Sequence, residues 1–301
     1  MTKQAVPGAV RALDETGASS VSRASSEAES LGQQVRDARR RRTQRNHRRL
    51  TAIRLLSLVI VIAAWQIYGM HSIAILFAPI TTVIHDGYLL FTKGQLASEL
   101  GYSMWTFALG YAIGAVVGIT VGMFMGAYRA AEAAVSMYVF ALYATPMVAL
   151  VPIISLWIGF DATAQVVVIA LFVVWPMSVI VFHGVRNIDA ELMEVGRSLR
   201  LNRRQTWSHL LLPGAVPFVI TGATQGVAMG LVGMIIAEIS MELSGIGRAL
   251  ETESQTYHTA SALAVVLLIM ILGVSLRSLL VLVERRLIPW LRVEHEAGRR
   301  A

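Results

Sequence analysis

Long apolar stretches alternate with shorter polar segments over most of the chain. Six stretches contain no Asp, Glu, Lys or Arg, and each could hold a membrane span of roughly twenty residues. They are Leu55 to His85, Gly101 to Tyr128, Ala133 to Phe160, Ala162 to Val185, Gln205 to Ala237 and Ser254 to Leu276. In hydrocarbon each backbone amide must be satisfied within its own segment, which favours helices. We therefore expect an all-α, polytopic membrane bundle of about six transmembrane helices, near 53–70, 101–126, 134–157, 163–183, 215–237 and 260–283.

Composition agrees with this class. Hydrophobic residues make up 55% of the chain and charged residues 15%, and the mean hydropathy is +0.60. These values are typical of a polytopic membrane protein. The chain has no cysteine, which excludes disulfides, thiolate metal ligands and thiol catalysis and leaves the redox compartment open. Its seven histidines are scattered without helical ligand spacing, so we predict no metal site.

Arginines lie on one side of the expected bundle. They cluster before the first span, in the polar segment 186–213 and after the last span, whereas the opposite loops hold only Lys93 and Arg248 as basic residues. Basic residues favour the cytoplasmic side, so we expect both termini and segment 186–213 to be cytoplasmic. The net charge of +7 then reflects topology, and we predict no nucleic-acid partner.

The ends of the chain differ from its middle. Residues 1–49 are rich in Ser, Ala, Glu and Gly and end in an Arg-rich run, so we expect a disordered cytoplasmic tail. The run could bind anionic membrane lipid, although a role that only fixes orientation is favoured. The transmembrane domain is predicted to span 50–293, with a polar loop at 186–213, and residues 294–301 to form a cytoplasmic C-terminal tail.

The second expected span carries a glycine at every fourth position. Gly110, Gly114, Gly118, Gly122 and Gly126 form one nearly continuous stripe on a helix. Such a stripe lets another backbone approach closely. We expect this helix to be central in the bundle or at a subunit interface, with packing inside one subunit favoured.

Four residues are candidates for lining a path through the membrane. Thr145 and Pro146 interrupt the third span, and a proline there frees a backbone carbonyl. Gln225 and Glu238 are polar exceptions in the fifth span, and an acid near the bilayer is a functional candidate by default. The alternative for Thr145 and Pro146 is a kink that serves helix packing. The alternative for Glu238 is a position that only marks the outer membrane interface.

The polar loop carries the most specific pattern in the chain. It opens with Glu194-Val195-Gly196 and closes with Leu212-Pro213. This spacing resembles the EAA loop of permease subunits in bacterial binding-protein-dependent ABC importers, which docks onto the ATPase; Arg200 stands where that family usually has Gly. The resemblance implies that the ATPase-coupling residues are Glu194, Val195, Gly196, Arg200, Leu201, Asn202, Arg203, Arg204, Gln205, Leu212 and Pro213.

Two further segments extend the resemblance over about residues 53–293. Ser244-Gly245-Ile246-Gly247 and the segment around Pro79 look like parts of nitrate, sulfonate and taurine importer permeases. The resemblance implies a type I ABC importer permease fold in the bacterial inner membrane. It also implies a cytoplasmic ATPase dimer that binds ATP and Mg, an external solute-binding protein and a second permease copy that forms a homodimer with this chain. The solute would be small and anionic or similar to an organic acid.

The chain itself contains no Gly-x-x-x-x-Gly-Lys-Ser/Thr run. We therefore expect no ATP hydrolysis and no bound cofactor, and a partner subunit would hydrolyse the ATP. A stand-alone secondary transporter or channel is the alternative function. It would favour ionisable residues or inverted repeats near the bilayer centre, and the charged residues are expected at the ends of the spans.

Overall fold

A computed structural model describes residues 49–73, 75–188 and 190–287. Most of residues 1–49, position 189 and the tail 294–301 lie outside the described residues, so the predicted domain limits stay predictions. The described residues divide into two units between Ile67 and Tyr68, and the packing below concerns the second. The helices are α1 (Arg49–His71), α2 (Ile80–Thr92), α3 (Gln95–Ala127), α4 (Arg129–Ala144), α5 (Met147–Ile158), α6 (Ala162–Arg186), α7 (Ala190–Ser198), α8 (Arg203–Thr206), α9 (Leu212–Met241), α10 (Ile246–Gln255) and α11 (Thr259–Leu287).

The glycine stripe of α3 lies directly against α6. A Cβ added at Gly110 would be 2.8 Å from the Val166 carbonyl oxygen, and one added at Gly126 would be 2.5 Å from Cβ of Val185. The other three glycines meet intermediate residues of α6 in the same order. Later positions of α3 therefore contact later positions of α6, so the two helices run parallel. Only a residue without a side chain fits at this spacing.

The third expected span is two helices rather than one. The predicted continuous helix 134–157 is wrong, because α4 and α5 meet at a bend of 101°. Thr145 adopts an extended conformation between them. Proline 146 disfavours a helical conformation at the residue before it and supplies no N–H to continue the ladder. Pro152 and Pro176, by contrast, lie inside α5 and α6 without ending them.

The direction of α6 indicates whether the bent α4–α5 pair crosses the membrane once or returns to the same side. Five helices among the described residues are long and apolar enough to cross a membrane, and the α4–α5 pair is a sixth candidate. Because α3 and α6 run parallel, the chain between them must return to the side on which α3 begins. Counted as one broken span, the α4–α5 pair brings the candidate spans among the described residues to six.

The fifth span begins earlier than the apolar pattern predicts. Helical structure is continuous from Arg203 to Met241, so Leu212 and Pro213 lie within it instead of closing a loop. A π-helical turn, Trp207–Leu211, precedes them, and the Leu212 amide donates to the carbonyl of Trp207. Proline cannot donate to the preceding turn and its ring crowds the carbonyl there. The widened turn accommodates Pro213 without breaking the helix.

The core is built around α6. Most of its length is buried, with α3 on one side and α9 running antiparallel on another, where a Cβ at Gly184 would meet the ring of Phe218 and one at Gly233 the ring of Phe172. Two short helices, α2 and α10, were not predicted. Val83 of α2 packs against Ala264 of α11, and Ile246 of α10 joins the core formed by α3, α6, α9 and α11.

Candidate functional site

The segment between α6 and α9 ends its first helix with a defined turn. The amide of Arg200 donates to the carbonyl of Arg197 at 3.0 Å, and the amide of Leu201 donates to that of Gly196 at 3.1 Å. These two bonds and a left-handed residue between them form a Schellman motif. Arg200 is that residue, with φ 52°. Glycine suits this position best, which explains why the resembling family usually has Gly here.

A capping box begins the second helix of this segment. The Asn202 side chain accepts a hydrogen bond from the Gln205 amide at 2.8 Å, and the Gln205 side chain accepts one from the Asn202 amide at 2.9 Å. Two free amides at the start of α8 are thereby satisfied. The turn from Ser198 to Arg203 is consequently fixed at both ends by local hydrogen bonds.

Gly196 joins α7 to the start of the long fifth span. It is buried, and a Cβ there would lie 2.6 Å from Cδ1 of Leu210 in the π-helical turn. The Glu194-Val195-Gly196 opening therefore contacts the turn that precedes Leu212-Pro213. This packing connects α7 directly to the start of the fifth span.

The outer face of the same segment exposes apolar side chains. Val195 is 54% exposed and Leu199 is 68% exposed. Glu194 is also exposed. Within the described ranges, Glu194 forms no ion pair with Arg197 or Arg200. Arg203, Arg204 and Gln205 are exposed beside it. The segment thus presents an ordered, unpartnered surface of mixed apolar and basic character.

Glu238 holds a turn at the opposite end of the bundle. It is fully buried, and its Oε2 accepts a hydrogen bond from the Gly247 amide at 2.7 Å. The preceding amide, Ile246, donates to Ser103 Oγ at 2.9 Å, and the amide of Gly245 donates to Glu99. Three side chains from α3 and α9 therefore satisfy three consecutive amides at the start of α10. This position identifies Glu238 as a residue that positions the turn between α9 and α10.

The glycines of this turn are required by Glu238. Gly245 has φ 139°, and a Cβ there would lie 2.3 Å from Cδ of Glu238. A Cβ at Gly247 would lie 2.9 Å from Cβ of Glu238. Glu242, four residues after Glu238, caps α9 with φ 51°. The two acids do not form a pair along one helix.

Gln225 lies in a groove between α9 and α11. The groove encloses about 490 Å³, and its polar lining residues are Thr224, Gln225 and Arg277. Arg277 lies six positions before the end of the candidate span Thr259–Val283, about 9 Å along the helix. Arg277 therefore lies inside this candidate span by sequence, toward its end. Thr145, Pro146 and Glu238 do not line this groove, so the four predicted path residues are not brought together there.

Comparison with known proteins gives a consistent assignment. Residues 114–289 match the family described as binding-protein-dependent transport system inner membrane component. The aliphatic sulfonates transport permease protein SsuC of Bacillus subtilis is 30% identical over 78% of this chain and 86% of its own length. SsuC of Escherichia coli is 32% identical over 76% and 88%, and the taurine transport system permease protein TauC of the same species is 28% identical over 48% and 53%.

Solved structures share the fold. An inward-facing MetNI methionine ABC transporter aligns with a TM-score of 0.57 at 18% identity, covering 64% of this chain and 95% of that one. An amino acid ABC transporter crystallised with histidines aligns with a TM-score of 0.54 at 20% identity, covering 66% and 97%. At this level of identity the likeness concerns the fold, which is that of type I ABC importer permeases.

Proposed function

The chain belongs to the family of binding-protein-dependent transport system inner membrane components, and we propose that it takes its power from a separate cytoplasmic ATPase through residues 194–213. It is a multi-pass inner-membrane permease subunit of an ABC importer, of the nitrate, sulfonate and taurine type. Membership in this family favours that function over a stand-alone transporter or channel.

One observation supports coupling at this segment above the others. Val195 and Leu199 are exposed, although the turn that carries them is held by a Schellman motif on one side and a capping box on the other. A rigid segment with exposed apolar side chains is suited to dock without a large ordering cost. Gly196 packs on Leu210 and provides a mechanical connection to the fifth span.

Loss of apolar contact at this surface tests the coupling. Leu199→Ser removes an exposed apolar side chain, so the fold should be unaffected while copurification of the ATPase falls. Ser198→Ala is the matched control, because Ser198 is also exposed on the same segment. Equal ATPase recovery for both variants and the wild type would refute docking through Leu199.

The proposed assembly follows from the family. Two permease copies form the path, two ATPase subunits bind ATP and Mg on the cytoplasmic side, and an external solute-binding protein delivers the solute. ATP binding closes the ATPase pair, the docked segments move with it, and the spans rock to open the path outward. Both termini are cytoplasmic in this arrangement.

The proposed solute is a small anion such as a sulfonate. The names of SsuC and TauC support this class, and so does the groove lined by Thr224, Gln225 and Arg277. An arginine below the membrane surface is costly unless it faces a polar cavity or a partner. Its guanidinium binds oxyanions with paired hydrogen bonds, and the amide and hydroxyl beside it can supply further contacts.

Uptake measurements test the proposed solute site independently of the proposed ATPase coupling. Right-side-out vesicles with the cognate binding protein and ATPase should accumulate labelled alkanesulfonate. Arg277→Gln should lower that uptake while ATPase copurification stays normal, and Arg286→Gln, which changes another exposed arginine of α11, should have little effect. Normal uptake by the Arg277 variant would exclude this groove as the anion site.

A further inference from the structure

A second polar cavity lies between residues 194–213, which we call the coupling segment, and the ends of three membrane helices. It encloses about 560 Å³, within the usual range for ligand pockets. Its walls come from the ends of α3, α4 and α6 on one side and from α7, α8 and the π-helical turn on the other. The charged residues that line it are Arg129, Glu132, Arg186, Arg197 and Arg203.

The charges of this cavity are not balanced. Glu132 forms an ion pair with Arg186. In the part of the chain that the structure describes, Arg129, Arg197 and Arg203 have no carboxylate partner. They come from α4, α7 and α8, which are separate elements. Three guanidinium groups around one cavity repel each other unless an anion lies between them.

The cavity lies at the ends of two candidate membrane spans, where lipid headgroups are expected. Ala127 and Arg186, both in its lining, are the last residues of two candidate membrane spans. Tyr128 and Trp207 of its wall form an aromatic cluster with Phe124, with ring centroids 5.7–5.9 Å apart. The Trp207 indole N–H donates to the Tyr128 hydroxyl at 2.9 Å. Trp and Tyr are typical of this interface, and basic pockets between membrane helices bind anionic headgroups.

We propose that this cavity binds a phosphate group, from an anionic phospholipid headgroup or from a soluble phosphate, held by Arg129, Arg197 and Arg203. A phosphate offers several acceptor oxygens, so it can receive paired hydrogen bonds from more than one arginine at a time. A phosphate in this position links α4 to the coupling segment. Binding is independent of the proposed function, whereas an effect on ATPase coupling rests on it.

Binding can be measured without the ATPase. The full chain is placed in phosphatidylcholine nanodiscs, with or without about one fifth phosphatidylglycerol, and in a separate arm inorganic phosphate is added to the phosphatidylcholine discs. Hydrogen exchange of residues 197–211 and 126–132 is the readout. We expect protection by at least one probe. Protection by phosphatidylglycerol alone identifies a lipid headgroup, and protection by inorganic phosphate identifies a soluble anion.

Variants show whether the cavity is the site. Arg129→Gln and Arg197→Gln should each weaken binding about fivefold. Arg286→Gln, an exposed arginine near the end of α11, is the control and should bind as the wild type does. The proposal is overturned if neither probe gives protection, or if Arg286→Gln weakens binding as much as Arg129→Gln. It is also overturned if Arg129→Gln instead loses the ATPase without changing protection, which would indicate a protein partner.

Discussion

Arg200 adopts a backbone conformation in which glycine is usually found, and its charge and its shape can be tested separately. Its φ of 52° excludes the possibility that the arginine extends the helix through this turn. The side chain is exposed, and we predict that it contacts an acidic groove on the partner.

We predict different outcomes for two substitutions at this position. Arg200→Gly relieves a left-handed side chain and should stabilise the turn by about 1 kcal/mol. Arg200→Glu keeps the strain and reverses the charge, so it should reduce ATPase copurification more than Arg200→Gly or Glu194→Ala does. Thermal unfolding and copurification measure the two effects. ATPase recovery at the wild-type level in all three variants would contradict a charged contact.

Glu238 gives a second prediction at the scale of one residue. Glu238→Ala removes the acceptor of the buried Gly247 amide, and an unsatisfied buried donor costs about 1–3 kcal/mol. Glu238→Gln keeps one acceptor oxygen and should lose less. Thermal unfolding should therefore rank the wild type first, Gln second and Ala last. If instead the alanine variant unfolds like the wild type but transports poorly, Glu238 acts in the path and not in the turn.

Some residues of the site could be predicted from sequence and others could not. The coupling segment is visible because charge and small residues occur at fixed local spacing around Glu194 and Gly196. The role of Glu238 depends on its contacts with Gly245 and Gly247, which lie at the start of α10. No local sequence pattern around Glu238 predicts these contacts. Arg277 was not predicted as a site residue because a charge near the end of an apolar run resembles the end of the span. Only the structure, which places Gln225 in the same groove, shows that Arg277 lines it.

At the scale of the helix, close approach of α3 and α6 leads to a third prediction. A Cβ at Gly118 would lie 2.7 Å from Cβ of Met177 and 2.9 Å from the Val174 carbonyl oxygen. Gly118→Leu should therefore insert but assemble poorly, since overpacking costs about 1–3 kcal/mol. Gly101→Ala is the control in the same helix, because nothing lies within 4 Å of a Cβ there. Yield of the dimer after size-exclusion chromatography is the measurement, and normal assembly of Gly118→Leu would contradict this packing.

The membrane helices were predictable because runs without charge are long, whereas their ends and bends were not. Pro146 ends a helix while Pro152 and Pro176 lie inside theirs, a difference that depends on the packing of neighbouring helices. The polar helix α10 lacks an apolar run and was not recognised as an element. Pro213 resembled a loop end, but the π-helical turn before it keeps the helix continuous.

For the whole molecule, topology can be mapped directly because the chain has no cysteine. Phe160 is 61% exposed between α5 and α6, and Ser198 is exposed in the coupling segment. We predict that Phe160→Cys reacts with a membrane-impermeant maleimide in right-side-out vesicles and that Ser198→Cys reacts only after the vesicles are opened. The reverse pattern, in which Phe160→Cys needs opening and Ser198→Cys reacts directly, would mean that the α4–α5 pair returns to the cytoplasmic side, and it would contradict six crossings.

The five glycine contacts also determine where this molecule can bend. Because the backbone of α3 rests on α6 along five successive turns, sliding one against the other by even one residue would force side chains into the places of glycines. We therefore expect the two helices to move together as one rigid body. Any conformational change during transport would then occur in the connections on either side of them. Three connections adjoin this helix pair: the bend at Thr145, the turn at Gly159 with φ 118° and the turn between α9 and α10.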